Sequence, residues 1–125
     1  MKAPRKNKGK DFAMEKILLM ISTARSLREG KKIATALIEN NLAACVNVIP
    51  GVTSFFLWEG KKCQEKEVIL LGKTKRARTK QIVNKIKEIH SYKVPEIIFL
   101  GVEGGEKNYL EWVGRTAGKK PKKNY

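Results

Sequence analysis

Two patterns of apolar residues alternate along the chain. Short runs of apolar residues predict strands, and apolar residues at helical spacing predict helices. The continuous apolar run at 17–21 has the length of a strand that is buried on both faces. Residues 22–29 are polar and are predicted to form a loop. Residues 29–42 then carry apolar side chains at helical spacing, and residues 76–90 repeat that pattern, so each segment is predicted to be a helix with one apolar face.

A long hairpin is predicted between the two helices. Residues 43–58 and 67–75 are rich in β-branched, aliphatic and aromatic residues, which is typical of strands, and 59–62 has the composition of a turn. Pro50-Gly51 interrupts the first of these strands. Because proline cannot donate to a strand ladder and glycine tolerates unusual dihedral angles, we expect a bulge or bend there.

The last part of the chain supplies a fourth strand and a terminal helix. Val94 before Pro95 disfavours helix, so 90–95 is predicted to be a connector. A strand follows at 96–103 and a short helix at 108–116. The predicted order is β-α-β-β-α-β with a C-terminal helix, which is the ferredoxin-like arrangement: an α+β fold with an antiparallel sheet and two helices on one face.

Four consecutive bulky residues end the second strand: Phe55, Phe56, Leu57 and Trp58. Side chains alternate between the two faces of a strand, so an isolated domain would leave part of this set in water. The sequence therefore predicts a partner surface at this strand. The alternative is that the C-terminal segment covers these residues within the same chain.

Length and composition restrict the class of protein. A chain of 125 residues with 42% hydrophobic residues suits one folded domain. No apolar run reaches the roughly 18 residues that a membrane-spanning helix needs, so a spanning protein is excluded and no membrane partner is expected. The basic beginning of the chain does not lead into the apolar segment and cleavage site of a signal peptide, so we expect a cytoplasmic protein.

The net charge of +15 is concentrated at the two ends. Residues 1–16 carry six Lys or Arg against two acids, and residues 115–125 carry five and no acid. We therefore predict a basic N-terminal extension over 1–15, a domain over 16–116 and a basic C-terminal tail over 117–125. The tails either aid solubility or bind an acidic partner. A second basic cluster is predicted to be a solvated face or an anion site: Lys73, Lys75, Arg76, Arg78 and Lys80.

The residue inventory argues against an enzyme. His90 is the only histidine and Asp11 the only aspartate, and the G-x-S-x-G, Walker A and G-x-G-x-x-G motifs are absent from the sequence. A hydrolase of the acylphosphatase type would need a phosphate-cradling loop with a fixed arginine, and Arg25 has no glycine-rich cradle beside it. We expect no catalytic residues.

Three side chains are candidate metal ligands, each with a structural alternative. His90 could bind Cu(II) or Zn(II) as neutral imidazole, or it could be hydrogen-bonded at a helix end. Cys45 lies in an apolar strand, where a buried inert thiol is the alternative. Cys63 stands near the hairpin turn and should be exposed, and the alternative there is an incidental thiol that is open to oxidation. The two cysteines are predicted at opposite ends of the hairpin, too far apart for a disulfide.

Five sequence elements, in this order, resemble the CutA divalent-cation tolerance proteins: 42–47 (LAACVN), 53–61 (TSFFLWEGK), 67–74 (EVILLGKT), 90–97 (HSYKVPEI) and 109–112 (YLEW). The resemblance makes 16–116 a CutA-like domain and implies a ferredoxin-like fold in a homotrimer like that of the PII signalling proteins. It also implies a role in divalent metal tolerance, copper especially, as a binding or signalling module without established catalysis.

The resemblance further assigns roles to individual residues. The residues that match the family's inter-subunit cleft are Glu67, Lys73, Trp58 and Tyr92, and that cleft could take a small anion with Lys73 as the charge. The alternative is that Glu67 and Lys73 form ion pairs across subunits without any ligand. The residues expected to pack the trimer are Phe56, Tyr109 and Trp112. Two positions depart from the family pattern: Phe56 stands where tyrosine is usual, and Ser91 where proline is usual.

A second function, binding of nucleic acid through the basic tails, follows from the charge and the fold class. Ferredoxin-like RNA-recognition modules stack bases on aromatic residues of the third strand. The third strand here, 67–75, has no aromatic residue. The sequence therefore favours the metal-tolerance prediction and makes nucleic acid the weaker alternative.

Overall fold

The computed structural model describes residues 16–118. Within that range the chain forms four strands and three α-helices in the order β1 Ile17–Ala24, α1 Leu27–Glu39, β2 Cys45–Trp58, β3 Lys61–Lys75, α2 Thr79–Ile89, β4 Ile97–Gly101 and α3 Lys107–Thr116. A 3-10 turn, Arg76–Arg78, leads into α2. The predicted extension at 1–15 and all but the first two residues of the predicted C-terminal tail lie outside the described residues. None of the helices described is long and apolar enough to cross a membrane.

The four strands form one antiparallel sheet in the order β2-β3-β1-β4. β1 lies in the middle of this sheet, where Ile21 pairs with Leu71 of β3 on one side and with Ile98 of β4 on the other. This order and the β-α-β-β-α-β connectivity confirm the predicted ferredoxin-like α+β fold.

The core lies between one face of the sheet and helices α1 and α2. Met20 and Leu70 project from β1 and β3 onto this face, and both are fully buried. The helices contribute their apolar stripes to the same cluster: Ile33, Leu37, Ile82 and Ile86. Each helix packs only one side against the sheet, so its apolar residues recur at helical spacing. This is why the spacing at 29–42 and 76–90 predicted the two helices correctly.

The opposite face of the sheet, which we call the open face, is covered at one end only. Helix α3 packs there through the buried Val113, and its Gly114 lies beside the side chain of Ile17. Ile98 and Leu100 of β4 remain 48% and 50% exposed. Among the described residues, the C-terminal segment therefore does not cover the aromatic end of β2, because Phe55 is 73% and Leu57 is 71% exposed.

Several element boundaries differ from the prediction, and the end of β1 and the start of β3 differ for clear physical reasons. β1 continues through Ala24, where Ser22 is buried and its hydroxyl donates to the Glu96 carbonyl at 2.7 Å, and α1 already begins at Leu27, so the loop predicted at 22–29 was wrong at both ends. β3 begins at Lys61 rather than at 67, because backbone pairing with β2 continues beyond the core, where the apolar pattern ends. We call this two-stranded extension, residues 53–66, the hairpin arm.

The bulge predicted at Pro50-Gly51 is confirmed, because the register of β2 against β3 shifts between Ile49 and Val52.

Replacing the helical Gly30 with alanine is expected to destabilise the protein, which is the opposite of the usual effect of this substitution in a helix. In an open helix position, alanine stabilises by about 1 kcal/mol over glycine. A Cβ at Gly30 would lie 2.8 Å from Cγ2 of Val68 and 3.1 Å from Cγ1 of Val48, which α1 packs against. Gly30→Ala is therefore expected to lower the free energy of unfolding by about 1–3 kcal/mol, measured by urea denaturation.

Gly114 provides the matched control for this substitution. Its new Cβ would meet only Cδ1 of Ile17, at an ordinary contact distance of 3.7 Å. Gly114→Ala should leave stability unchanged or raise it by up to about 1 kcal/mol. Stabilisation by Gly30→Ala would contradict the close approach of α1 to the sheet.

Candidate functional site

His90 follows the last residue of α2 and is held by two hydrogen bonds. Its Nε2 lies 2.8 Å from the carbonyl oxygen of Thr23, and its Nδ1 accepts from the backbone N–H of Tyr92 at 2.9 Å. Because Nδ1 is the acceptor, the neutral ring carries its proton on Nε2 and donates it to Thr23. The side chain is 0% exposed. His90 thus joins the end of β1 to the connector after α2, and neither ring nitrogen is open in this arrangement.

Glu29 anchors the same connector to the first turn of α1. Its carboxylate accepts from the backbone N–H of Ser91 at 2.7 Å, from the Ser91 hydroxyl at 3.1 Å and from the backbone N–H of Arg25 at 3.3 Å. Ser26 caps α1 by accepting from the Glu29 N–H. Burial alone would raise the pKa of Glu29, but these hydrogen bonds hold that pKa below its ordinary value.

Tyr92 extends this arrangement to β3. Its hydroxyl donates to the Glu67 carboxylate at 2.6 Å, and its ring lies 4.8 Å from the His90 ring, centroid to centroid. Burial raises the pKa of the Tyr92 hydroxyl, and the hydrogen bond to Glu67 and the surrounding carboxylates raise it further. We call the connected set the His90 network: Thr23, Glu29, Glu67, His90, Ser91 and Tyr92.

The depressed pKa of Glu29 predicts a loss of stability in acid. The folded state favours the carboxylate, so its contribution is fully present above the unfolded value near 4.5 and is lost as the pH falls through the lower folded value. Glu29→Gln is expected to reduce the free energy of unfolding by about 1–2 kcal/mol at pH 7, with a smaller difference from the unmodified protein below pH 4. Denaturant unfolding from pH 7 to pH 2.5 measures this, and Glu65→Gln, an exposed carboxylate on β3, is the control. Parallel curves for the two variants would contradict the anchoring role.

A second group of polar side chains lies on the open face around Lys73. The Lys73 ammonium is 3.8 Å from Sγ of Cys45 and donates to the side-chain oxygen of Asn47. Burial and the neighbouring Cys45 raise the pKa of the Tyr109 hydroxyl, which comes from α3. Cys45 is therefore part of a polar group, not only an apolar strand position. We call these residues the Lys73 cluster: Cys45, Asn47, Lys73 and Tyr109.

The structure keeps the other predicted site residues apart within one chain. Glu67 and Lys73 share the open face, but they are six residues apart on β3, which corresponds to about 20 Å. Trp58 pairs with Lys61 at the far end of the hairpin, about 20 Å from Glu67 in the other direction. Of the four predicted cleft residues, only Glu67 and Tyr92 are in contact.

The candidate metal ligands are also separated. Cys45 pairs with Lys73 and Cys63 pairs with Phe56, so more than ten residues of β2, roughly 35 Å, lie between the two thiols, and both are free. Residues 16–118 contain no group of three or more His, Cys, Asp or Glu side chains that could hold a metal ion. The described part of a single chain therefore holds no preformed divalent metal site.

The residues predicted to pack a trimer lie on accessible surface. Phe56 is on the hairpin arm, and Tyr109 and Trp112 form a ring pair on α3 with centroids 5.5 Å apart. All three are exposed in the single chain.

Sequence reasoning missed Glu29, Asn47 and Ser91. Glu29 had a readable signal: Ser26-x-x-Glu29 has the spacing of a helix capping box. In the structure Ser26 caps as that motif predicts, but the Glu29 carboxylate reaches the connector and Arg25 instead of the Ser26 N–H. No local pattern marks Asn47 or Ser91, because their partners lie 26 and 62 residues away in sequence.

Comparison with known families decides the identity. Residues 18–116 match the family model of the CutA1 divalent ion tolerance protein. The chain belongs to the CutA1 family. The match spans all the described strands and helices except the first residue of β1, so it covers the whole folded domain.

Individual CutA proteins support this assignment. The divalent-cation tolerance protein CutA of Thermus thermophilus is 38% identical over 105 residues, which are 84% of this chain and 100% of that protein. The CutA homolog of Xenopus laevis is 44% identical over 85 residues, 68% of this chain, and this alignment covers 56% of the frog protein. Some relatives are thus considerably longer than the region they share with this chain.

Solved CutA structures have the same fold. The Thermus thermophilus CutA1 structure superposes with a TM-score of 0.80 at 36% identity, covering 82% of this chain and 99% of that one. The Oryza sativa CutA1 structure gives a TM-score of 0.82 at 33% identity, covering 86% and 99%. The predicted CutA resemblance and ferredoxin-like fold are confirmed, and the family name connects the chain with divalent-cation tolerance in general.

Proposed function

We propose that this CutA1 protein is a homotrimeric binding module, without catalytic activity, that acts in tolerance to divalent metal ions, copper among them. The observation that carries the proposal is the open face of the sheet. Apolar side chains from three strands lie on this face and are half-buried or exposed in the single chain: Leu19, Ile21, Ile69, Leu71, Ile98 and Leu100. A continuous apolar surface of this kind is typical of a protein–protein interface.

The hairpin arm supports a closed assembly of copies of this chain. β2 and β4 are the two edge strands of the sheet, and the arm at the end of β2 and the start of β3 carries exposed aromatic residues far beyond the core. Around a three-fold axis, each arm can reach the next subunit and cover its edge and its apolar face. Phe56, Tyr109 and Trp112 are proposed to pack at these contacts.

The proposed trimer also explains the separation of the cleft residues. Glu67, Lys73 and Trp58 are spread along roughly 40 Å of the hairpin in one chain. Residues from neighbouring subunits would therefore have to combine to form a cleft, with Trp58 and Tyr92 as walls. We propose a small anion as its ligand, with the Lys73 ammonium as the countercharge.

Copper is proposed as a weakly held cargo at the subunit surfaces. Cys63 is partly exposed on the arm, and a thiolate is a ligand type that copper prefers. His90 and Cys45 remain candidates, but each must first give up an existing contact: His90 a hydrogen bond to Thr23 or Tyr92, and Cys45 its place beside Lys73. Two free cysteines suit a reducing compartment, which supports a cytoplasmic role.

Native mass spectrometry of the protein with and without stoichiometric copper tests this proposal. The expected mass is that of three chains, with copper retained at up to one ion per subunit and lost from Cys63→Ser more readily than from Cys45→Ser. A monomer at micromolar concentration would contradict the trimer and its cleft. A trimer that retains no copper would contradict the copper role alone.

A further inference from the structure

The net charge of the described domain is concentrated in one layer of the fold. We define the helical layer as residues 25–40 and 76–90, which comprise α1, the 3-10 turn and α2 with their flanking residues. This layer carries nine Lys or Arg against three Glu, a net charge of +6. The other described residues, more than twice as many, carry nine Lys or Arg against seven Glu. The positive field of the folded domain is therefore one-sided.

The three glutamates of the layer do little to weaken this field. Glu29 is occupied by the connector and is only 11% exposed, and Glu88 is paired with Lys85 at 2.9 Å. Glu39 remains at the end of α1. The exposed cations are distributed over both helices and the turn: Arg28, Lys31, Lys32, Arg76, Lys80 and Lys87.

We propose that the helical layer binds the phosphate backbone of a nucleic acid duplex without reading its sequence. This function goes beyond the proposed metal-tolerance role. It also differs from binding through the tails, because the charge lies on rigid helices of the domain. The partner follows from charge complementarity: a duplex presents regularly spaced negative charge, and Lys and Arg side chains neutralise it with release of counterions.

Helical geometry arranges the cations in two lines. Arg28 and Lys32 are four residues apart on α1, and Lys80 and Lys87 are seven apart on α2, so each pair lies on one side of its helix. Packed neighbouring helices lie about 8–10 Å apart, close to the roughly 12 Å width of a DNA major groove. Each line can therefore meet a different phosphate strand.

The composition of the layer favours a duplex over a single strand. Proteins that bind single strands stack bases on aromatic side chains. The helical layer contains no Phe, Tyr or Trp, and its His90 ring is buried. The open face does not compete for this role, because it is largely aliphatic and is proposed to lie inside the trimer.

The test compares two full-length variants with equal changes in charge. The helical variant carries Arg28→Gln, Lys32→Gln, Lys80→Gln and Lys87→Gln. The control variant carries Lys61→Gln, Lys62→Gln, Lys66→Gln and Lys93→Gln. All eight residues are exposed, and the four control residues lie outside the helical layer. Both variants keep the basic tails, and light scattering with thermal unfolding establishes that each remains folded and assembled.

Binding to a labelled 24-base-pair DNA duplex is measured by fluorescence anisotropy between 50 and 300 mM NaCl. The helical variant should bind at least roughly 30-fold more weakly at 100 mM salt, and the slope of log K against log salt should fall by about 3 to 4. The control should stay within about threefold of the unmodified protein. Equal losses in both variants, or unchanged binding by the helical variant, would overturn the proposal and leave the tails as the binding element.

Two further probes separate duplex DNA from other acidic surfaces. A 24-nucleotide single strand should bind more weakly than the duplex. Vesicles of phosphatidylcholine with 30% phosphatidylserine should bind the helical and control variants alike. Tight vesicle binding that is lost only in the helical variant, without duplex binding, would overturn the proposal in favour of a membrane surface.

Discussion

Leu100→Glu is expected to convert the proposed trimer into monomers, whereas Ile38→Glu is expected to leave it assembled. Leu100 lies on the open face and is 50% exposed in the single chain, and Ile38 lies on α1 and is 42% exposed. The two substitutions therefore have the same chemistry and comparable exposure, but they fall on opposite sides of the sheet. Only a carboxylate on the open face would become buried on assembly.

The expected effect is large because the new charge has no partner. Burial of an unpaired carboxylate costs about 3 kcal/mol or more per subunit, which weakens association by more than about 100-fold. Size-exclusion chromatography with light scattering measures the molecular mass from 1 to 100 μM. Trimeric Leu100→Glu would place the interface elsewhere, and monomeric Ile38→Glu would show that the helical side takes part in assembly.

The secondary-structure elements could be predicted from the sequence where packing against the sheet determines the spacing of their apolar residues. Helices α1 and α2 each cover the same face of the sheet, so their apolar residues recur at 3.6-residue spacing. β1 is apolar on both faces because one face packs in the core and the other forms part of the apolar open face. The bulge at Pro50-Gly51 was predictable from the chemistry of those two residues alone.

The start of β3 and the site could be predicted only in part. Lys61–Lys66 form strand by backbone pairing in an arm with no core beneath it, so no hydrophobic alternation marks them. The His90 network depends on contacts between β1, α1, β3 and the connector, and its members come from distant parts of the sequence. His90 was recognised as either a ligand or a structural residue, but its two hydrogen-bond partners were visible only in the fold.

His90→Ala is the second substitution expected to have a large effect. It removes a fully buried side chain, leaves the Thr23 carbonyl and the Tyr92 N–H without their partners, and opens a cavity beside the Tyr92 ring. Two orphaned backbone groups and the lost packing together are expected to lower the free energy of unfolding by about 3–5 kcal/mol. Urea denaturation at a fixed protein concentration, with a chelator present, measures this effect in the absence of metal.

Two companion variants separate a structural His90 from a metal-binding one. His90→Gln keeps an amide N–H that can reach the Thr23 carbonyl, so it should recover about half of the lost stability. Tyr92→Phe removes only the hydroxyl that donates to Glu67 and should cost about 1–2 kcal/mol. If His90→Ala left stability in chelator unchanged but abolished copper binding, the imidazole would act as a ligand instead of a structural residue. Loss of stability with copper binding retained by His90→Gln would place the metal elsewhere, with Cys63 as the next ligand to replace.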